Sequence, residues 1–138
     1  MIKVTCGIIE LNGKILICQR SAAMSLPNKW EFPGGKLEDN ESEIECLERE
    51  IREELRIHVK AYRKLTHVVH DYGQFVIELI PYICKTNQEN IVLAEHQAYK
   101  WIAPTDIVKY DLAPADIPVA KEYLEVCNKL DIYSLDKF

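Results

Sequence analysis

One segment constrains the fold of this chain more than any other, because residues 42–55 have the pattern of an amphipathic helix. Ser42 can cap its first turn, and Glu45 stands three residues later, as a capping box requires. Apolar residues then recur at helical spacing, at positions Ile44, Leu47, Ile51 and Leu55. A helix with such a stripe has to bury it against a second layer of structure.

Short strand-like segments lie on both sides of this predicted helix. They fall at residues 4–10, 14–19, 30–32, 58–70, 74–84 and 96–102. Asn12 and Gly13 predict a hairpin turn between the first two strands, and residues 71–73 predict a turn between the two longest. The Pro-Gly-Gly sequence at 33–35 predicts an interruption of regular structure.

Two further helices are predicted in the C-terminal third. Residues 104–110 can start a short one, because a proline at an early helical position does no harm. Residues 116–130 predict a longer helix with one apolar side, formed by Ile117, Ala120, Leu124 and Cys127. Residues 130–138 are expected to be a loosely held tail. Strands mixed with helices predict an α/β fold in which a mixed sheet lies between helical layers.

Length and composition set broader limits. A chain of 138 residues with 48% apolar content fits a single compact domain, residues 1–138. No apolar run reaches the roughly 18 residues that span a bilayer, and no signal-peptide pattern is present, so no membrane partner is expected. Five cysteines without a Cys-x-x-Cys pair, set among apolar neighbours, predict buried thiols in a reducing compartment. We therefore expect a cytoplasmic protein.

The net charge of −5 argues against a nucleic-acid polymer as partner, because such partners require a basic face. An acidic protein can still bind a small polyanion when metal ions lie between its carboxylates and the phosphates. The charge therefore directs attention to clustered carboxylates.

Three such carboxylates, Glu50, Glu53 and Glu54, share one face of the predicted helix beside its apolar stripe. Like charges at this spacing weaken a helix by about 0.2–0.5 kcal/mol per pair, which a divalent cation would offset. Magnesium prefers carboxylate oxygens, water and phosphates as ligands. Taken alone, the segment also fits a solvated helix face in which Arg49 and Arg52 pair with the acids.

The spacing of the whole segment strengthens the metal interpretation. Gly35 is followed by five residues, Glu41, seven residues and the sequence Arg-Glu-Ile-Arg-Glu-Glu-Leu at 49–55. Taken alone, the glycine fits a simple turn as well as it fits a binding site. This arrangement resembles the Nudix box in every element except the final glycine, where Arg56 stands instead. That glycine normally follows the helix end, where a left-handed backbone disfavours a residue with a Cβ.

The resemblance implies an enzyme that cleaves the phosphate chain of a nucleoside triphosphate with Mg²⁺, for which Mn²⁺ can substitute. The implied metal ligands are the carbonyl of Gly35 and the carboxylates of Glu50, Glu53, Glu54 and Glu95. The implied catalytic residues are Glu53, Glu54 and Glu95. Glu53 or a carboxylate outside the box would accept the proton of the attacking water. Glu41 and Arg49 are implied to be structural, with Arg49 buttressing the helix carboxylates.

Beyond the box, the resemblance covers nearly the whole chain and narrows to the MutT-like branch. Its implied substrate contacts are Arg20, Phe32, Pro33, Gly34, Gly35, Lys36, Leu37, His70 and Asp116. From the residues alone, Glu95 is equally an ordinary loop carboxylate, and Arg20 fits a solvated strand end. A lone His70 on a strand is more often structural, although pyrimidine-directed relatives carry an Arg near this position.

The choice of base depends on residues 112–118, which resemble the corresponding segment of CTP pyrophosphohydrolases. The 8-oxoguanine-specific enzymes have an Asn where Asp116 stands. An ionised Asp only accepts hydrogen bonds, which favours the amino group of cytosine, although guanine also offers donors. Asp116 can equally cap the helix that begins there. Among nearby aromatic residues, Phe32 is expected to stack on the base, whereas Trp30 and Tyr72 fit the core.

These features lead to one hypothesis and two alternatives. The hypothesis is that CTP, dCTP or a modified pyrimidine triphosphate is cleaved to the monophosphate and pyrophosphate by a monomer or homodimer. The first alternative is an 8-oxo-dGTP diphosphatase that removes oxidised nucleotides from the pool. The second is a non-catalytic nucleotide-binding Nudix domain, which would not need to retain the three helix carboxylates. No sequence feature supports a protein-interaction module.

Overall fold

The computed structural model describes the backbone of residues 1–135 and the side chains of residues 1–128. Eight strands form one sheet: β1 (Ile2–Leu11), β2 (Lys14–Gln19), β3 (Trp30–Glu31), β4 (Gly34–Lys36), β5 (Lys60–Lys64), β6 (Val68–Asp71), β7 (Val76–Lys85) and β8 (Ala98–Ile102). The helices are α1 (Glu43–Leu55), a short 3-10 helix (Pro104–Lys109) and α2 (Asp116–Leu135). The predicted α/β fold with a mixed sheet between helices is confirmed.

The sheet divides into two halves near its centre. Strands β1 and β2 pair only at their hairpin end, where Glu10 faces Ile15 and Leu11 faces Lys14. Beyond that point β1 pairs with β4 and runs parallel to β7, whereas β2 pairs with β3 and β8. The connection between β3 and β4 therefore crosses from one half of the sheet to the other, and a gap opens between the halves.

Two apolar layers cover the faces of this sheet. Because successive side chains of a strand point to opposite faces, Ile8 packs into one layer and Ile9 into the other. The layer containing Ile9 holds the buried face of α1, and the layer containing Ile8 holds the buried residues of α2. The sheet is thus enclosed by helices on both sides.

Helix α1 begins as predicted, with both hydrogen bonds of the capping box between Ser42 and Glu45 present. Its buried residues are Cys46, Leu47, Ile51 and Leu55. The prediction that Ile44 belongs to this stripe is wrong, because its first-turn position leaves it 39% exposed. The helix ends at Arg56 in the left-handed conformation (φ 59°), with the Arg56 N–H donating to Arg52 O at 3.0 Å.

Pairing with strands distant in the sequence gives two segments a different secondary structure from the predicted one. Gly34–Lys36 is a strand and not an interruption, because Val4, Thr5 and Cys6 of β1 pair with it. The segment predicted as one strand at 58–70 is split into β5 and β6, which pair with opposite ends of the long strand β7. The register shifts between Ala61 and Arg63, so one continuous ladder is not maintained.

The C-terminal helix also departs from expectation. Helix α2 continues to Leu135, beyond the predicted end, and residues 136–138 of the predicted tail lie outside the described residues. Its buried contacts come from Val119, Ala120 and Tyr123, whereas Ile117 is 41% exposed and does not belong to the buried side. Four cysteines are buried as predicted, but Cys127 is only half-buried at the edge of its layer. Within the described part of the chain, no helix is long and apolar enough to cross a membrane.

Candidate active site

A cleft of about 660 Å³ opens where the two halves of the sheet separate. Charged residues contribute one group of its lining side chains: Arg20, Glu31, Glu50, Glu54, Glu95 and Asp116. Apolar and aromatic residues contribute another: Val4, Phe32, Tyr72, Phe75, Ile77 and Leu79. A concave site with an apolar lining and a few polar groups is typical of small-molecule binding.

The glycine pair fits tightly between β1 and helix α1. A Cβ on Gly34 would lie 1.9 Å from the carbonyl oxygen of Thr5, which the backbone could not tolerate. A Cβ on Gly35 would lie 2.2 Å from the carboxyl carbon of Glu50. Gly34 therefore requires glycine because two backbones approach closely there, whereas a Cβ at Gly35 would have to displace the Glu50 side chain.

Two of the helix carboxylates are drawn into the cleft. Burial raises the pKa of Glu50 above its ordinary value. Burial, and then the nearby carboxylate of Glu95, also raises the pKa of Glu54. The Oε2 atom of Glu54 is buried and finds no hydrogen-bond partner among the described residues. Glu53 projects outward instead, with 58% of its side chain exposed.

Arg49 ties this acidic face together. Its guanidinium donates to both oxygens of Glu41, at 2.6 and 3.0 Å, which with the Glu38 backbone N–H lowers the pKa of Glu41 to about 2. The same group donates to Glu50 at 3.0 Å and to Glu53 at 3.2 Å. Arg49 thus contacts carboxylates of the box without lining the cleft, an arrangement consistent with a structural role.

The oxygen atoms of Glu50, Glu54 and Gly35 suit a divalent cation that is also coordinated by a bound phosphate. Among the residues that the structure describes, no three acidic, imidazole or thiol side chains form a preassembled metal cage. Magnesium is commonly held by one or two carboxylates together with waters and substrate phosphates, so such a cage is not required. The unpartnered Glu54 oxygen and the raised pKa values of Glu50 and Glu54 fit a cation between them. The Gly35 carbonyl already accepts from Thr5 Oγ1 at 3.2 Å and would share that oxygen.

Two predicted residues outside the box also reach the cleft. Glu95 is exposed, lines the cleft and interacts electrostatically with Glu54. Arg20 lines the cleft and is not simply solvated, because its guanidinium donates to Glu31 at 2.9 Å and to Ser25 Oγ at 2.9 Å.

Asp116 and Phe32 lie together in the cleft. The Oδ1 atom of Asp116 accepts a hydrogen bond from the backbone N–H of Phe32 at 3.0 Å. Asp116 is the first residue of α2, and the structure pairs its side chain with Phe32. Burial, and then the nearby Glu31 carboxylate, raises the pKa of Asp116 well above its ordinary value.

Three of the predicted substrate contacts do not line the cleft. The Pro33 carbonyl accepts from Gly7 N at 2.8 Å, and the Leu37 N–H donates to Lys3 O at 3.0 Å, so the backbones of both residues extend the pairing of β4 with β1. His70 lies against Tyr72 with ring centroids 4.3 Å apart. It supports an aromatic residue of the cleft and does not line the cleft itself. Lys36, by contrast, reaches the cleft beside the glycine pair.

Sequence reasoning missed several lining residues. The sequence does contain a signal for Glu31, because this charged residue stands between the aromatic residues Trp30 and Phe32 in an extended segment. His96 does not line the cleft, but it is buried and pairs with the lining residue Glu31 at 2.8 Å. The sequence predicts it as the first residue of a strand at 96–102, whereas the structure places it before β8. Tyr72 was assigned to the core, yet it lines the cleft and its hydroxyl accepts from the Ala115 N–H at 3.0 Å. No local pattern distinguishes Phe75.

Comparisons with known proteins agree with this site. The sequence profile of the NUDIX domain matches residues 4–122. CTP pyrophosphohydrolase of Escherichia coli (strain K12) is 37% identical over 124 residues, which cover 90% of this chain and 92% of that protein. 8-oxo-dGTP diphosphatase of Proteus vulgaris is 40% identical over 70 residues, or 50% of this chain and 62% of that protein. The solution structure of the E. coli ORF135 protein superimposes with a TM-score of 0.79 at 36% identity, covering 91% of this chain and 90% of that one.

The profile match and the relative from E. coli extend over nearly the whole of the chain. They agree with the acidic helix, its glycine pair and a cleft large enough for a nucleotide. This chain therefore belongs to the Nudix family, in its MutT-like branch, and is a nucleoside triphosphate pyrophosphohydrolase, a hydrolase of phosphoanhydride bonds.

Proposed function

We propose that this enzyme hydrolyses CTP, dCTP or a modified pyrimidine nucleoside triphosphate to the monophosphate and pyrophosphate. Its metal is Mg²⁺, and Mn²⁺ can substitute. The proposal goes beyond the shared family in naming the base, and Asp116 is the residue on which that choice rests.

The observation that carries the proposal is the fixed carboxyl group of Asp116 beside Phe32. The Phe32 N–H holds Oδ1 at 3.0 Å, and both residues line the cleft. An acceptor held in place favours a base edge that offers an amino donor, as N4 of cytosine does. The relative that is 37% identical to this chain is itself a CTP pyrophosphohydrolase.

The helix carboxylates define where the phosphates bind. Glu50 and Glu54 would hold the metal, with Glu53, Glu95 and the Gly35 carbonyl as further ligands. When bound, the metal supplies charge neutralisation for the phosphates and lowers the pKa of a coordinated water. Because a cation relieves the repulsion among buried acids, the raised pKa values of Glu50 and Glu54 support this placement.

Protein side chains supply orientation and proton transfer. Arg49 holds Glu50 and Glu53 by hydrogen bonds, which limits the positions that these carboxylates can adopt. Glu53 is the exposed member of the set and would accept the proton of the attacking water, with Glu95 as the carboxylate outside the box that could do so. Arg20, which lines the cleft at the end of β2, would contact the substrate directly.

The direct test is a panel of canonical, methylated and oxidised nucleoside triphosphates, assayed for pyrophosphate and monophosphate release with Mg²⁺ and with chelator. Selective, metal-dependent release from cytosine nucleotides is the expected result. Release without selectivity for cytosine would refute the base assignment. Failure to hydrolyse any member would instead support the non-catalytic alternative.

A second candidate, 8-oxo-dGTP diphosphatase, is favoured by one specific observation. The argument for cytosine assumes an ionised Asp116, whereas burial raises its pKa well above the ordinary value. A protonated carboxyl group both donates and accepts, as the Asn of the 8-oxoguanine-specific enzymes does. The Proteus vulgaris relative is an 8-oxo-dGTP diphosphatase, and this candidate predicts that 8-oxo-dGTP is the preferred member of the panel.

A further inference from the structure

His96 is a buried polar residue whose position is fixed by its own segment. Only 4% of its side chain is exposed. Two residues before it, the Ala94 N–H donates to the carbonyl of Glu54 in α1 at 3.1 Å, and one residue after it, the Gln97 N–H donates to Gln19 O of β2 at 3.0 Å. The imidazole is therefore held between the acidic helix and the strand that leads to Arg20.

The ring belongs to a chain of three charged or polar side chains. His96 Nε2 lies 2.8 Å from Glu31 Oε2, and Arg20 donates to Glu31 Oε1 at 2.9 Å. Both carboxyl oxygens of Glu31 are thus engaged, each by a different segment of the protein. With 17% of the Glu31 side chain and 18% of the Arg20 side chain exposed, these charge-assisted bonds are largely shielded from water.

The two ring nitrogens of His96 have different surroundings. Glu31 also accepts from Arg20, and a carboxylate only accepts hydrogen bonds, so this contact calls for the tautomer that carries the proton on Nε2. Nδ1 is buried and finds no partner among the described residues. An apolar side chain would fill the same space without leaving a buried nitrogen unpaired. What an imidazole supplies here is therefore the bond to Glu31.

We propose that His96 is a positioning residue that fixes Glu31, and through Glu31 fixes Arg20, at the substrate cleft. The inference rests on the proposed function, because it assigns these residues to nucleotide binding. Without the imidazole donor, Glu31 keeps only its bond to Arg20 and can turn. Arg20 still donates to Ser25 through Nε and Nη2, but Nη1 then loses its fixed acceptor, so this edge of the guanidinium no longer has a single position toward the substrate. Glu50 and Glu53 of α1 keep their own contacts with Arg49. Binding of the nucleotide should therefore suffer more than the chemical step.

Saturation kinetics of the full chain with its best triphosphate from the panel test this role. In His96→Leu we expect KM to rise about tenfold while kcat changes less than about threefold, since the lost contact is made equally in the ground and transition states. His96→Gln places an amide donor near the position of Nε2, so KM should return to within about threefold of wild type. Unchanged KM in His96→Leu, or equal impairment in both variants, would overturn the proposal.

A double-mutant cycle and a spectrum complete the test. In a Glu31→Gln background, replacing His96 by Leu should produce little further change in KM, because the shared contact is already weakened. If His96→Leu does not fold, His96→Gln with the NMR spectrum of ¹⁵N-histidine-labelled wild type decides the question. The expected spectrum has the His96 proton on Nε2, and a proton on Nδ1 alone would contradict the contact. An inactive wild type would remove the proposed function, whereas an active wild type with unaffected variants removes only this inference.

Discussion

A Cβ placed on Gly35 would lie 2.2 Å from the carboxyl carbon of Glu50. The glycine therefore limits how closely the Glu50 carboxylate approaches β4, and any larger residue at position 35 must displace that carboxylate. Glu50 is also held by Arg49 at 3.0 Å, so displacement would disturb the set of carboxylates that this arginine joins.

We expect Gly35→Ala to lower kcat/KM by about 100-fold or more, because it moves a carboxylate proposed to hold the metal. The measurement is a Mg²⁺ titration of activity, in which the variant should also need more metal for half-maximal rate. Gly13→Asn in the β1–β2 turn is a matched control, since nothing lies within 4 Å of a Cβ there and Asn tolerates its positive φ of 78°. Normal activity in Gly35→Ala would contradict the placement of Glu50.

Glu53→Gln is expected to lower kcat by about 100-fold or more while leaving the fold intact, because the exposed carboxylate would act as the proton acceptor. Glu48→Gln on the same helix, a carboxylate outside the set that Arg49 joins, is the matched control and should keep wild-type kcat. Single-turnover rates with saturating Mg²⁺ separate the chemical step from binding. A Glu53→Gln enzyme with full activity would transfer the role of the base to another residue, Glu95 first.

The buried carboxylate of Glu54 should lower the free energy of unfolding of the metal-free protein as the pH rises. Burial, and then Glu95, raises its pKa above the ordinary value of 4.5, so the folded state holds more protons than the unfolded state. The metal-free protein should therefore lose stability as pH rises above about 4.5 and through the folded pKa, and Mg²⁺ should restore it. In chelator at pH 8, Glu54→Gln should melt a few degrees higher than wild type. Thermal melts with and without Mg²⁺ measure both effects, and a lower melting temperature of the variant in chelator would contradict the prediction.

Asp116→Asn distinguishes the two candidate substrates. The Asn carbonyl can keep the bond to Phe32 N–H, so the fold should be retained, and removal of a buried acid should not reduce stability. If an ionised Asp116 reads cytosine, the ratio of kcat/KM for CTP to that for 8-oxo-dGTP should fall about tenfold or more. An unchanged ratio would mean that Asp116 is neutral in the wild type or does not contact the base.

Arg56 occupies a left-handed position that costs a residue with a Cβ about 1–2 kcal/mol. Arg56→Gly should therefore raise the free energy of unfolding, by about 1 kcal/mol after the greater freedom of glycine in the unfolded chain is subtracted. Urea denaturation at fixed Mg²⁺ measures the change, and kcat should stay at the wild-type value. A destabilised variant would show that contacts of the Arg56 side chain stabilise the folded protein by more than the left-handed backbone destabilises it.

The elements best predicted from sequence are those specified locally. The capping box of Ser42 and Glu45 and the turn at Asn12 and Gly13 depend on neighbours within a few residues, and both are present. The strand at Gly34–Lys36 was missed because its partner, β1, lies about thirty residues earlier, and only tertiary pairing overrides the turn preference of glycine. Ile44 and Ile117 were misplaced because helical spacing does not tell how far the covering sheet extends over a first turn.

For the site, Glu50, Glu53 and Glu54 can be grouped from the sequence because one helix carries all three at fixed spacing. The contact of Asp116 with Phe32 joins residues 84 positions apart and has no sequence signature. The pair of Glu31 and His96 is separated by 65 positions and is equally invisible before folding. The sequence thus indicates the carboxylates proposed to bind metal. It does not indicate which residues shape the pocket, because their contacts form only when the two halves of the sheet come together.

That division of the sheet also keeps the turn between β6 and β7 structurally apart from the acidic helix. The acidic helix and Gly35 pack against β1, while Tyr72 and Phe75 lie at the turn between β6 and β7, which joins the sheet only along β7. Substitutions or insertions at that turn can alter the proposed base pocket without passing strain to α1, the helix proposed to hold the metal. An ancestral hydrolase with this architecture could therefore acquire new substrates by remodelling one hairpin, and laboratory libraries confined to residues 71–75 should yield active enzymes with altered base preference.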